Sequence, residues 1–220
     1  MPGRFELPFE RLPAVLPIFP LTGVLLLPHG QLPLNIFEER YLAMLSDAMA
    51  WPRVIGMVQP LEGKGDAGEP PVYRIGCAGR IVSFSETDDG RYLINLAGLC
   101  RFEIARERPL QRGYRTVEPD WSRFRQDLAP LSDAGIDRAR LLATLKPYFQ
   151  RHSIACDWDA IGKASADRLV TTLAMVCPFA PSEKQALLEA AGVAERASLL
   201  VTLMEMATVP AAAEPAGLRH

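Results

Sequence analysis

Residues 16–41 read LPIFPLTGVLLLPHGQLPLNIFEERY and predict how the fold begins. The apolar run 24–27 lies between turn signals and predicts a strand that is covered on both faces. The residues Leu32, Leu34 and Ile36 then alternate with Pro33, Asn35 and Phe37, which is the period of two that is typical of a strand. From residue 39 to residue 50 the period becomes helical, with one apolar face. The stretch contains no catalytic nucleophile, no metal-ligand spacing and no phosphate-binding loop.

Further strands follow this opening. Residues 54–58 (VIGMV) form a short apolar run, and the alternating segments 73–82 and 92–104 flank the turn sequence Asp-Asp-Gly at 88–90. This pattern predicts a long hairpin in which the turn glycine adopts a positive φ. Residues 60–71 hold three glycines and three prolines with little to bury, which predicts a mobile surface loop.

The pattern becomes helical after Trp121. Leucine-rich stripes at helical spacing continue to Met206 and predict several amphipathic helices. We therefore expect an α+β protein: an N-terminal β barrel or sheet domain with one inserted helix, followed by a C-terminal α-helical bundle. The expected bounds are 12–120 for the β domain and 128–209 for the bundle, with flexible termini at 1–11 and 210–220.

Composition restricts the class of protein. The 220 residues are 49% hydrophobic and 23% charged, with a formal net charge of −2. This balance suits a globular protein and gives no global attraction to nucleic acid or to an anionic membrane. The four cysteines form no CxxC pair, so we expect reduced thiols and a cytoplasmic location rather than a zinc site. We expect no signal peptide, because the first 15 residues lack an unbroken apolar run, and no membrane span, because no apolar run is long enough.

Several segments together resemble one family. They are LPIFPLTGVLLLPHGQLPLNIFEERY at 16–41, IGMVQP at 55–60, YRIGCAG at 73–79, DGRYLINLAGLCRFEI at 89–104, YRTVEPDW at 114–121 and SEKQALLEAAGVAERASLLVTLMEM at 182–206. In this order they resemble the N-terminal, substrate-binding domain of Lon, the ATP-dependent protease. The resemblance implies a PUA-like β barrel followed by a helical bundle. The sequence departs from the family pattern at Asn35 and Glu39, where relatives often have a ring side chain and a proline.

The resemblance implies recognition rather than proteolysis. The sequence has no GxxxxGK[ST] motif and no room for the Lon ATPase and protease modules, so we expect a free-standing bacterial Lon-N protein that is not an enzyme. The expected partners are unfolded or extended polypeptide segments and also a protease or chaperone, in an adaptor-like or chaperone-like role. We predict no catalytic residue, no cofactor and no metal ligand.

One local signature suggests where peptides bind. The candidate residues surround the start of the predicted helix and the following strand: Phe37, Arg40, Tyr41, Met44 and Met57. Aromatic and methionine side chains suit varied apolar partners. The competing interpretation places Phe37 and Tyr41 in the core, with acidic residues favourable at the helix N-terminus.

Two other functions stay open. An RNA-binding PUA-like module would use a basic and aromatic platform of Arg74, Arg80, Arg91, Arg101, Tyr73 and Tyr92. Strand alternation separates the arginines from the tyrosines, which favours solvated arginines paired with Glu86 or Glu103. The second alternative is a small-molecule binder or an unrecognised enzyme, which no motif supports.

Overall fold

The structure, a computed structural model, describes residues 7–50, 52–61, 70–130 and 132–209. Most of the predicted surface loop (62–69) and the terminal segments 1–6 and 210–220 lie outside the described residues. These described residues contain six strands: β1 (Leu16–Pro20), β2 (Gln31–Ile36), β3 (Val54–Val58), β4 (Ile75–Glu86), β5 (Tyr92–Glu107) and β6 (Arg115–Asp120). Six α-helices accompany them: α1 (Glu39–Ala50), α2 (Arg138–Arg151), α3 (Trp158–Lys163), α4 (Ala166–Val176), α5 (Pro181–Glu189) and α6 (Val193–Thr208).

The strands close into a barrel. Their order is β2-β5-β4-β3-β1-β6, and β6 also pairs with β5. The 16 residues of β5 make this closure possible, because the first half of the strand pairs with β2 and the last part with β6. Strands β1 and β3 are parallel, whereas the other pairs are antiparallel. A closed sheet leaves few exposed edges, and here the edges lie in β2 and in the outer half of β4.

The C-terminal helices pack on the barrel. The 3-10 segment Ser122–Leu128, called the linker below, leads from β6 toward α2. One continuous cluster of buried apolar residues extends from the barrel into the helices, including Phe102 of β5, Phe124 of the linker and Leu200 of α6. No helix in the described part of the chain is both long enough and apolar enough to cross a membrane.

The α+β class predicted from the sequence is confirmed, and the inserted helix α1 has the predicted bounds. The hairpin turn is also as predicted, because Gly90 has a φ of 78°. The prediction of a strand at residues 24–27 is wrong. Leu25, Leu26 and Leu27 are buried, but they form an extended loop over β5. The carbonyl of Leu27 approaches Gly98 so closely that a Cβ at position 98 would overlap it.

The N-terminal segment that we expected to be flexible is partly ordered. Residues Phe9–Arg11 form a single 3-10 turn, and Leu7 is buried in the core. The independence of the two predicted domains stays a prediction.

Candidate functional site

A groove lies between helix α1 and the tip of the β4–β5 hairpin. It encloses about 570 Å³. Its apolar lining comes from both elements: Leu42, Ala43 and Met49 of α1, and Phe84 and Tyr92 of the hairpin. A concave, mostly apolar surface with a few polar groups is the usual form of a binding site. We therefore take this groove, called the α1 groove below, as the candidate functional site.

A cavity of about 610 Å³ lies elsewhere, between the N-terminal 3-10 turn and the linker. An ion pair joins Arg125 and Glu10 at 3.2 Å in this cavity, and the Arg125 guanidinium also stacks on the Phe9 ring. Leu7, the first of the described residues, is among those that line this cavity. The α1 groove is the better-defined candidate.

The hairpin reaches the groove because β4 and β5 continue beyond the barrel. Strand β3 pairs with β4 only as far as Arg80, whereas β5 accompanies β4 to Glu86. A bulge near Val82 changes the register, and bulges commonly re-aim the residues that follow. The Phe84 side chain is 54% exposed, and its ring centroid lies 6.4 Å from that of Tyr92. Two adjacent rings thus form one wall.

Helix α1 forms the opposite wall. One face of the helix is buried in the core, and it carries Tyr41, Met44, Leu45 and Ala48. Asp47 fixes the helix to the barrel by accepting a hydrogen bond from the Tyr114 hydroxyl at 2.7 Å and by pairing with Arg112 at 2.6 Å. Burial and the Asp47 carboxylate raise the pKa of Tyr114, so this hydroxyl stays a donor. The helix is therefore held as a rigid wall of the groove.

The rim of the groove is acidic. Glu39 and Glu86 line opposite sides, and neither makes an ion pair with a cation in the described part of the chain. The only basic residue of the lining, Arg112, is already paired with Asp47. A bound segment that carries cationic side chains would therefore be favoured at this rim.

The outer edge of β4 beside the groove has no strand partner among the described residues. Strand β3 ends its pairing at Arg80, and the following residues 82–86 pair only with β5. Exposed edges of this kind present unpaired backbone N–H and C=O groups to an incoming strand.

Two of the five predicted peptide-binding residues lie at the surface. Phe37, which one interpretation placed in the core, is 59% exposed, and the Arg91 guanidinium lies 5.7 Å from its ring centroid. Arg40 is partly exposed, pairs with Glu38 at 3.1 Å and stacks on Tyr41. Phe37 is outside the lining of the α1 groove.

The other three predicted residues pack inside the protein. Tyr41 stacks on Phe19 with ring centroids 4.2 Å apart, and Met44 and Met57 are buried in the core. The helical period places Tyr41 and Met44 on the core face of α1, and β3 is covered on both faces. These three residues support the site from beneath and cannot touch a partner in this conformation. The peptide-binding role of the region stays a prediction.

Reasoning from the sequence missed Phe84, Leu42 and Glu86. The signal for Phe84 was an aromatic residue within a polar segment, SFSET, immediately before the hairpin turn. An aromatic residue among polar neighbours at the end of a strand has little to pack against locally, which could have marked it as exposed.

The predicted arginine platform is not assembled. Arg74 pairs with Glu103 at 3.4 Å, as the ion-pair interpretation predicts, and Arg91 pairs with Asp89 at 2.9 Å. Arg101 contradicts both interpretations, because it is 1% exposed and pairs with Asp127 of the linker at 2.8 Å. Its guanidinium also donates to the carbonyls of Leu188 and Ala190, which place it between the barrel and the bundle. The platform thus loses one of its four cations.

Reactive groups are sparse in the described residues. No group of three or more His, Cys, Asp or Glu side chains there could hold a metal ion. Burial raises the pKa of Cys77, and it raises those of Cys100 and Cys177 to about 12. These thiols are therefore protonated and inert near neutral pH.

A sequence model of the ATP-dependent protease La (LON) substrate-binding domain matches residues 15–206. The chain belongs to this family. Lon protease of Anaeromyxobacter dehalogenans is 35% identical over 96 residues, which are 43% of this chain and 11% of the relative. Lon protease of Cytophaga hutchinsonii is 24% identical over 211 residues, which are 91% of this chain and 25% of the relative. The chain therefore spans at most about a quarter of these relatives, within their LON substrate-binding domain.

Two solved structures have the same fold. The Lon N-terminal domain protein from Xanthomonas campestris superposes with a TM-score of 0.61 at 25% identity, covering 86% of this chain and 97% of that chain. The N-terminal domain of Mycobacterium avium complex Lon protease gives a TM-score of 0.60 at 18% identity, covering 87% and 98%. The fold predicted from the resemblance to the LON substrate-binding domain is confirmed.

Proposed function

We propose that this LON substrate-binding domain recognises extended, apolar polypeptide segments in the α1 groove. One observation carries the proposal: the apolar wall of the groove includes the largely exposed aromatic ring of Phe84. Leaving large aromatic side chains in water is unfavourable for a lone domain, and such patches mark interaction sites.

The proposed binding mode adds a strand to β4. A bound segment would pair with the free edge at residues 82–86 through its backbone. Alternate side chains of a strand point to the same face, so every second residue of the segment would enter the groove between Phe84 and Leu42. The segment would therefore be read as an aromatic-x-aromatic pattern.

The acidic rim adds a preference for charge. Glu39 and Glu86 would attract a lysine or arginine placed beside the apolar residues of the segment. Recognition of this kind requires no bond to be made or broken. The domain in this proposal is a binding module without catalysis of its own, acting in the cytoplasm, where its free cysteines remain reduced. Transfer of the bound segment to a protease or chaperone is the adaptor form of the proposal, and it rests on membership of the family.

Fluorescence anisotropy with labelled peptides tests the groove. The probe contains an aromatic-x-aromatic pair flanked by lysines, and the comparison peptide has the same two aromatic residues adjacent to each other. We expect Phe84→Ser to weaken binding of the first peptide by about 30-fold, because truncating a central aromatic anchor costs about 2 kcal/mol. Equal affinity of the wild type and Phe84→Ser would reject the groove as the binding site.

A matched control comes from α6. Met206 is 67% exposed and remote from the groove, so Met206→Ser removes a similar exposed apolar side chain and should retain wild-type affinity. A third peptide with glutamates in place of the lysines should bind more weakly, and the difference should shrink as the salt concentration rises. A salt-sensitive gel shift with total RNA, together with no peptide binding, would instead support the RNA-binding alternative.

A further inference from the structure

A third cavity, smaller than the α1 groove and the cavity beside the N-terminal 3-10 turn, lies where the barrel, the linker and the bundle meet. It has a volume of about 160 Å³. Two arginines from different parts of the fold line it, Arg101 of β5 and Arg196 of α6. The remaining lining includes Asp127 of the linker and Gly192, the residue before α6. This cavity is separate from the α1 groove, since the two share no residue.

Both carboxylate oxygens of Asp127 accept hydrogen bonds from Arg101. One of its oxygens accepts from the backbone N–H and the Nε of Arg101 at 3.0 and 2.8 Å, and the other accepts from Nη2 at 2.8 Å. Such a bidentate pair holds both charges in a fixed geometry. The pair is neutral as a whole, and no hydrogen bond joins Asp127 to Arg196 in the described part of the chain.

Arg196 is buried without a counter-charge. It is 5% exposed, its Nε donates to the Leu187 carbonyl at 2.8 Å, and its Nη2 is buried with no acceptor in the described part of the chain. No carboxylate among the described residues makes an ion pair with it. A buried charge without a partner is costly, and a buried donor without an acceptor adds to the cost.

The surroundings of Arg196 make its positive charge still less favourable. Burial and then the neighbouring Arg101 lower the pKa of Arg196 to about 10, and the nearby Asp127 carboxylate opposes them only in part. The cavity therefore contains two guanidinium groups and one carboxylate, which leaves one positive charge uncompensated.

The start of helix α6 faces the same cavity. Gly192 precedes the helix and has no side chain that could accept from the first-turn amides. The side chain of Glu195 is turned back to accept from the Ala191 N–H at 2.7 Å. The N-terminus of a 16-residue helix carries a partial positive charge and free backbone donors, which suit an anion.

We propose that this cavity binds a tetrahedral oxyanion, namely a phosphate group, on Arg196 and the N-terminus of α6. The anion would add a negative charge beside the Arg196 guanidinium, which lines the cavity. A volume of about 160 Å³ corresponds to about five water molecules. It therefore accommodates a phosphate group, with any ester-linked remainder left outside. Because three parts of the fold meet here, the bound anion would stabilise the junction of barrel and bundle.

Thermal unfolding in matched salts tests the proposal. The wild type is unfolded in potassium phosphate, sulfate, acetate and chloride at one pH and one ionic strength. We expect phosphate and sulfate to raise the unfolding temperature in a saturable way, because an anion at about ten times its Kd raises the folding equilibrium constant about 11-fold. Titration with adenosine monophosphate separates an esterified phosphate from the free anion: tighter binding than phosphate assigns the site to a larger ligand, and weaker binding to the free anion.

Two variants connect the effect to the cavity. Arg196→Met should abolish the response to phosphate, and in chloride it should unfold at or above the wild-type temperature because it removes an uncompensated charge. Arg151→Met removes an exposed arginine at the end of α2 and should keep the full response.

Three results would overturn the proposal. The first is that phosphate raises the unfolding temperature of the wild type no more than chloride does. This result does not depend on whether any variant folds. The second is that phosphate raises the unfolding temperature of Arg196→Met as much as that of the wild type. The third is an equal gain from acetate, because it would exclude recognition of a tetrahedral group.

Discussion

The pair Arg101–Asp127 offers the sharpest test of how barrel and bundle are held together. Asp127→Asn keeps the size of the side chain and removes its charge. Arg101 is 1% exposed, so its guanidinium then lies in the interior opposite a neutral amide. It keeps the backbone carbonyls of Leu188 and Ala190 as acceptors, at 2.9 and 2.5 Å, but loses its ion pair with Asp127.

The expected loss of stability is large. Removing one partner of a buried ion pair costs about 3–5 kcal/mol, because the remaining charge has no compensation. The neighbouring Arg196 adds a second positive charge to the same cavity, which places the loss toward the upper end of that range. A reduction of this size moves the midpoint of urea unfolding down by about 1–2 M.

Equilibrium unfolding in urea, followed by circular dichroism in chloride buffer, measures this loss. The control is Glu205→Gln, which removes a carboxylate from the exposed ion pair with Arg140. Its urea midpoint should be indistinguishable from that of the wild type. The double variant Arg101→Met/Asp127→Leu should be more stable than Asp127→Asn, since it removes both charges. If the free energy of unfolding of Asp127→Asn lies within about 1 kcal/mol of the wild-type value, the pair does not hold barrel and bundle together.

Four further outcomes are expected. Gly98→Ala should destabilise the protein by about 1–3 kcal/mol in urea unfolding, because its Cβ would overlap a backbone carbonyl of the loop above β5, whereas Gly162→Ala has open space and should be neutral or stabilising. Alkylation at pH 8 followed by mass spectrometry should label the partly exposed Cys156 before the buried Cys100. Because the pKa of Cys100 is raised to about 12, the native state keeps a proton that the unfolded thiol loses near pH 9, so stability should fall as the pH rises above 9. Finally, Met44→Leu conserves volume in the core and should leave peptide affinity unchanged, and a loss of affinity in a stably folded variant would contradict the burial of this side chain.

Local patterns predicted the elements whose signals are themselves local. The change of period at residue 39 marks the start of α1, and the Asp-Asp-Gly turn marks the hairpin of β4 and β5. Both signals depend on residues within a few positions of one another. They are therefore readable without knowledge of what packs on the element.

The run 24–27 shows where local reasoning fails. A short apolar run between turns is expected both for a buried strand and for a buried loop. The outcome depends on β5, which is distant in sequence. Gly98 lets the Leu27 carbonyl come close, and its own carbonyl accepts from the His29 N–H at 2.9 Å. The loop is thus held over the strand by packing and isolated hydrogen bonds rather than by a ladder.

For the residues of the candidate sites, contacts between distant segments decide even more than they do for the strands and helices. The alternation of β5 assigned Arg101 to a polar face, and its partners lie 26 residues away in the linker and 87 to 89 residues away at the C-terminal end of α5. Likewise, the pattern of α1 grouped Tyr41 with Leu42, but the barrel covers one and leaves the other in the groove.

The family, the order of strands and helices and the absence of recognised catalytic motifs were all readable from the sequence, because each is recorded in residues that are neighbours along the chain. The α1 groove and the anion cavity arise only in the folded molecule. Each combines side chains from distant segments, and whether Phe84 is exposed or Arg196 lacks a counter-charge depends on which surfaces meet when the barrel closes and the bundle packs against it.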